Sequence, residues 1–141
     1  MEIVGVKYFQ LEELVDKPYI DKFGKNSQWF LDKALVLCLD RIREAIGPLI
    51  INNWKTGGLY HESGLRMPTA ETGAQFSQHK YGNAFDLKPQ KISVHELFYH
   101  IYHQQFLYPQ ITAIENPEKT MTWLHVDSRW HEGDGMIIVE P

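Results

Sequence analysis

Within the ten residues SQHKYGNAFD, positions 77–86, stand Ser77, His79, Gly82, Ala84 and Asp86. Imidazole nitrogen and carboxylate oxygen are ligands that zinc accepts, and a catalytic zinc site uses three protein ligands and leaves one position open. His79 and Asp86 can supply two of them if the chain between them turns back. Gly82 tolerates unusual dihedrals and Ala84 lets backbones approach closely, so the turn is sterically easy. A satisfied hydrogen bond inside a polar loop is the other reading of the same pair. A third ligand has to come from elsewhere. His125 in TWLHVD is the best placed, because the pattern around it predicts a strand, a rigid support for a site.

The pattern S-x-H-x-x-G-x-A-x-D followed downstream by W-x-H-x-D resembles the M15 family of zinc D-Ala-D-Ala carboxypeptidases and L-Ala-D-Glu endopeptidases. More closely, it is similar to the small M15 domains of phages and bacteria. Ser77, His79, Gly82, Ala84 and Asp86 match the first motif and His125 the second, and the resemblance covers roughly residues 45–130. It implies that Zn2+ is held by His79, Asp86 and His125 in a hedgehog/DD-peptidase-like α+β domain. The activity it implies is hydrolysis of peptide bonds in bacterial cell-wall peptidoglycan, with the wall peptide as substrate. A phage or prophage endolysin, or a virion-associated hydrolase, is the expected setting.

Hydrolysis at such a centre needs a general base beside the attacking water. Members of the family carry Glu or Asp three residues before the last histidine, whereas this chain has Thr122 there. A threonine hydroxyl takes no proton near neutral pH, so two carboxylates stand as substitutes. Glu115 ends a predicted strand before the turn NPEKT, and hairpin pairing is expected to set it across from Thr122. Asp127 lies two residues after His125, on the same face of a regular strand. Its alternative work is to orient a ligand or to pair with Arg129.

Arg66 in SGLRMP matches an arginine that precedes the first motif in many relatives, and a guanidinium reads a terminal carboxylate bidentately. A salt bridge is the other reading. Gln75 and Ser77 are expected to line the same cleft, with Ser77 holding either substrate or loop. No G-x-S-x-G context makes it a nucleophile. Thr122 also sustains a second functional reading: a zinc-retaining, non-catalytic relative that binds a ligand or serves as a structural virion component.

The other histidines carry weaker patterns. His100 and His103 share a predicted helix edge, His95 falls in that helix's first turn, His61 lies in a long loop and His131 in a turn. Cys38, the one cysteine, sits in the apolar stretch LDKALVLCLDRI and reads as a buried thiol. Trp54 and Trp123 read as core residues, with Trp123 able to wall a cleft beside His125.

The elements that must position these residues are legible in part. FQLEELVD, residues 9–16, predicts a short helix ended by Pro18, and Ser27 is the expected N-cap of a long helix running to Gly47-Pro48. LIINNW predicts a buried strand, and residues 55–80 a long loop of the functional kind. NAFDL predicts a strand, SVHELFYHIYHQQF a helix with a Ser93–Glu96 capping box, ITAIE and MTWLHVDSRW a hairpin, and GMIIVE a last strand. The sum is an α+β domain, one unit over residues 1–141, with two main helices on a small, mostly antiparallel sheet.

A net charge of −4 with scattered basic residues argues against a nucleic-acid or membrane-surface partner. No signal peptide is visible at the N-terminus, so the expectation is a product made in the cytoplasm and released to the wall by a phage-type route. No pattern assigns an oligomeric state.

Overall fold

Side chains of the central strands point alternately to two faces, and both faces are buried. The structure, a computed structural model, describes residues 1–141. Its four α-helices are α1 (Leu11–Leu14), α2 (Lys17–Phe23), α3 (Lys33–Ile46) and α4 (Val94–His103). The strands are β1 (Leu49–Ile50), β2 (Ala84–Pro89), β3 (Ala113–Glu115), β4 (Leu124–Asp127) and β5 (Ile137–Val139), forming one sheet in the order β1-β2-β4-β3-β5. All neighbours are antiparallel except β3 and β5. The fold is therefore α+β with a mixed sheet.

Phe85 and Leu87 on β2, Leu124 and Val126 on β4 and Ile114 on β3 are buried and join one apolar cluster. Leu35, Val36, Cys38, Leu39 and Ile42 of α3 belong to it, as do Val94, Leu97, Phe98 and Ile101 of α4. Strand residues alternate between faces. Asp86, Lys88, Glu115, His125 and Asp127 consequently share the opposite face, where the segment around Ser63–Arg66 meets Asp86 and Lys88. Asp86 N–H donates to the Ser63 carbonyl at 2.8 Å, Leu65 N–H to the Leu14 carbonyl at 2.8 Å and Asp16 N–H to the Leu65 carbonyl at 3.0 Å. The long loop is thus fastened to β2 on one side and to the α1–α2 junction on the other.

Several local expectations are corrected. Pro18 does not end a helix; it stands in the first turn of α2, where its missing N–H costs nothing. Ser27 is not the cap of α3. Residues 24–30 form a 3₁₀ helix, Ser27 is buried with its hydroxyl donating to the Tyr19 carbonyl, and Asp32 caps α3 by accepting from Leu35 N–H. LIINNW yields only the two-residue β1, because Asn52 instead turns its side chain to Ser63 N–H. The Ser93–Glu96 capping box forms as expected.

Candidate metal centre

Three residues from two strands and a 3₁₀ turn converge. His79 lies in the turn Gln78–Tyr81, which Gly82 ends in the left-handed region at φ 76°. A Cβ at Gly82 would stand 1.7 Å from the Phe30 carbonyl oxygen, so only glycine fits this position. Asp86 and His125 are directly paired across β2 and β4. His79 Nε2 lies 3.2 Å and His125 Nδ1 3.0 Å from the same oxygen, Asp86 Oδ1. One ligand atom from each of the three residues lies within 4.8 Å of the others, and all three are buried. They form a group able to hold a metal ion.

The proton positions favour a cation there. His79 Nδ1 faces the Gly64 carbonyl at 3.0 Å, and a carbonyl only accepts, so Nδ1 carries the proton. His125 Nε2 faces Asp127 Oδ2 at 2.7 Å and donates to it. Both remaining ring nitrogens therefore turn toward one carboxylate oxygen. With one proton on each ring, both of these nitrogens keep a lone pair to donate, and the ring centroids are 5.1 Å apart. A single metal ion satisfies all three donors, and each imidazole already has the rear hydrogen bond that orients a metal ligand. The residues present fit a metal.

Electrostatics are arranged accordingly. Burial disfavours charge on Asp86, yet hydrogen bonds from His125 and His79 hold its carboxyl far below the usual carboxylate range. Burial likewise opposes the charged form of Asp127, and His125 and Arg129 outweigh it, bringing its pKa to about 2. Burial disfavours the His125 imidazolium, but Asp127 and Asp86 push its pKa up to about 9. Metal uptake at this ring accordingly displaces a proton.

The two candidate bases separate. Asp127 has no exposed surface; it accepts from His125 on one side and from Arg129 N–H and the Arg129 guanidinium on the other. It sits at the ring nitrogen that points away from Asp86, which suits an orienting role. Glu115 does not face Thr122 as expected. The β3–β4 register pairs Ala113 with Asp127 and Ile114 with Val126, so Glu115, two residues after Ala113, lies on the sheet face of Asp127 and His125. Asp86, His125 and Glu115 thus share one face of three adjacent strands. Glu115 is buried, and the Thr120 hydroxyl donates to its Oε1 at 2.6 Å. Thr122 is exposed.

A cleft of about 410 Å³ opens beside Asp86, lined by Tyr60, His61, Glu62, Ser63, Arg66, Lys88 and Trp123 among others. Arg66 reaches it but is buried, with Nε donating to the Glu62 carbonyl, Nη1 to the Thr72 carbonyl and Nη2 3.6 Å from Asp86 Oδ2. Burial lowers its pKa and Asp86 opposes that shift. Ser77 is not part of the cleft lining; its hydroxyl accepts from His79 N–H at 3.3 Å and holds the turn that carries the ligand. Gln75 is exposed and also absent from the lining. His61 and Trp123 do line the cleft, whereas the Trp54 indole donates to the Val15 carbonyl.

The other singled-out residues lie elsewhere. His100 bonds Tyr108 on the edge of α4, and His131 bonds its own neighbour's carbonyl in an exposed turn. Cys38 is buried, and burial pushes its thiol up to about 11. Sequence reasoning passed over Gly64 and Lys88. A Cβ on Gly64 would lie 2.0 Å from the Leu14 carbonyl oxygen, so glycine lets its own carbonyl reach His79. No sequence signal announces that contact. Lys88 was within reach, since Ala84, Asp86 and Lys88 alternate onto one face of β2. No helix is long and apolar enough to cross a membrane. No protein-family model, curated protein or solved structure matches the chain.

Proposed function

We propose that the chain is a zinc-dependent peptidase of the M15 type that hydrolyses peptide bonds in bacterial cell-wall peptidoglycan, in a phage or prophage endolysin or a virion-associated hydrolase. The observation that carries the reading is the group of His79, Asp86 and His125, with Asp86 and His125 paired across two strands and Glu115 on the same sheet face. Two imidazoles and one carboxylate are a donor set that zinc takes in catalytic sites, and they leave a position open. When bound, zinc supplies a Lewis acid and makes a water acidic enough to attack at neutral pH.

The chain's own residues do the rest. Gly64 and Asp127 fix the two rings from behind, so the ligand nitrogens need no reorganisation. Glu115 lies on β3, the strand next to β4, on the sheet face of His125. In this reading it takes the proton of an attacking water and returns it to the leaving amine. The Thr120 hydroxyl holds that carboxylate in a fixed rotamer. This position of Glu115 favours an enzyme over a zinc-retaining binding protein, because it supplies the base that Thr122 does not.

The test is release of new amine groups or of D-alanine from purified peptidoglycan by the zinc-loaded chain. Release is expected for the wild type and is lost in His125→Ala. A zinc-loaded chain that releases neither, beside an active M15 peptidase on the same substrate, overturns the proposal.

A further inference from the structure

Lys88 is the buried cation of the cleft that forms no ion pair. Its residue is 4% exposed. Its ammonium donates to the Ser63 hydroxyl at 2.8 Å and to the Asp86 carbonyl at 3.1 Å, both neutral oxygens, and lies 4.3 Å from the centroid of the Tyr60 ring. Neither carboxylate of the cleft wall, Glu62 or Asp86, forms an ion pair with it. An ammonium has three protons to donate, and two are committed. A buried charge without a counter-charge is costly unless something pairs with it.

Arg66 presents the opposite case. Its guanidinium is engaged by the carbonyls of Glu62 and Thr72 and by Asp86, so it ties the loop together around the ligand aspartate. Of the two cations in the cleft, the one with an uncommitted proton and no carboxylate is Lys88.

We propose that Lys88 is the carboxylate receptor of this cleft, pairing with an anionic group of the bound peptide next to the bond that faces Asp86, while Arg66 is a positioning residue. The identity of the ligand rests on the peptidase reading. Two carboxylates share the required chemistry: a chain-terminal one and the free one of an internal glutamyl residue. The terminal case makes the enzyme a carboxypeptidase, the internal one an endopeptidase.

Binding is measured on the full chain stripped of metal, so that neither turnover nor coordination of the probe contributes. The probes are N-acetyl-D-alanyl-D-alanine and N-acetyl-L-alanyl-γ-D-glutamyl methylamide, each against the analogue whose carboxylate is an amide. One acid is expected to bind at least about tenfold more tightly than its amide, the size of a hydrogen bond to a charged group. In Lys88→Met that preference falls to within about twofold. In the wild type, the same acid shifts the Lys88 Cε resonance and its amide does not, a readout that stands even if the variant fails to fold. The inference is overturned if neither acid is preferred, if folded Lys88→Met keeps the preference, or if the Arg66 Nε–H resonance moves while Lys88 stays still. Failure of the peptidase reading is separate: it is a chain that shows this preference yet releases nothing from peptidoglycan with zinc.

Discussion

Glu115 and Asp127 share the sheet face of His125, and their surroundings assign them different work. Asp127 is saturated by His125 and Arg129, whereas Glu115 has one recorded partner, the Thr120 hydroxyl. Glu115→Gln is therefore expected to keep zinc at one equivalent and to slow peptide release by about 10²–10⁴-fold, the range of a general base. Asp127→Asn is expected to weaken zinc by about 10–100-fold, read by competition with a chromophoric chelator, because the ring loses its orienting anion. Equal small losses of rate in both variants, with zinc retained, would remove both from the chemistry. His79, Asp86 and His125 were legible as a trio from spacing and from the resemblance, since ligand types and a turn of small residues lie open in the sequence. The placement of Glu115 was not: a shift of register changes which residues face each other, and register is a property of the paired strands.

At the scale of elements, turn chemistry holds the site in place. Asp32 caps α3, its other oxygen accepts from the Ser128 hydroxyl just beyond β4 at 2.7 Å, and Asp32 N–H donates to the Gly82 carbonyl at 2.9 Å. One short segment thus ties the long helix, the His79 turn and the β4 end. Gly82→Ala has to accommodate both a left-handed residue and a Cβ against a backbone carbonyl. It is expected to destabilise by about 2 kcal/mol or more in urea unfolding, as for other strained backbone sites. An unchanged midpoint would show that the turn relaxes freely. Helix α4 was legible because its capping box and apolar spacing are both local signals. Helix α3 was misplaced by several residues, because Ser27 is recruited by the Tyr19 carbonyl, a contact that only the packed α2 creates.

For the molecule as a whole, metal and pH are the levers. Zinc bound only by the folded chain stabilises it by about 2.7 kcal/mol at free zinc near 100 times Kd, so chelator is expected to lower Tm by several degrees. An identical Tm with and without chelator, together with no stoichiometric zinc, would refute the metal. A second lever lies away from the centre. Burial disfavours ionised Glu12, but hydrogen bonds from the Lys55 ammonium and the Met1 ammonium overcome this and its pKa falls from 4.5 to about 2. A depressed carboxyl contributes stability that is full above the unfolded value and is lost as pH falls through the folded one. The wild type is accordingly expected to lose stability between about pH 4.5 and about pH 2 more steeply than Glu12→Gln, measured by denaturant midpoints at each pH. Parallel curves would show that Glu12 does not carry the acid limb.

By itself the sequence determined the candidate ligand residues, their spacing, the α+β class and the helix α4, because these depend on residue chemistry and on contacts a few positions apart. Tertiary structure alone decided that Asp127 bonds the far side of the His125 ring, which cation of the cleft is spoken for and where Ser77 points. The choice between the cleft cations depends on the Ser63–Arg66 segment being fastened between β2 and the α1–α2 junction. Such contacts join residues far apart in the chain, and no local pattern records them.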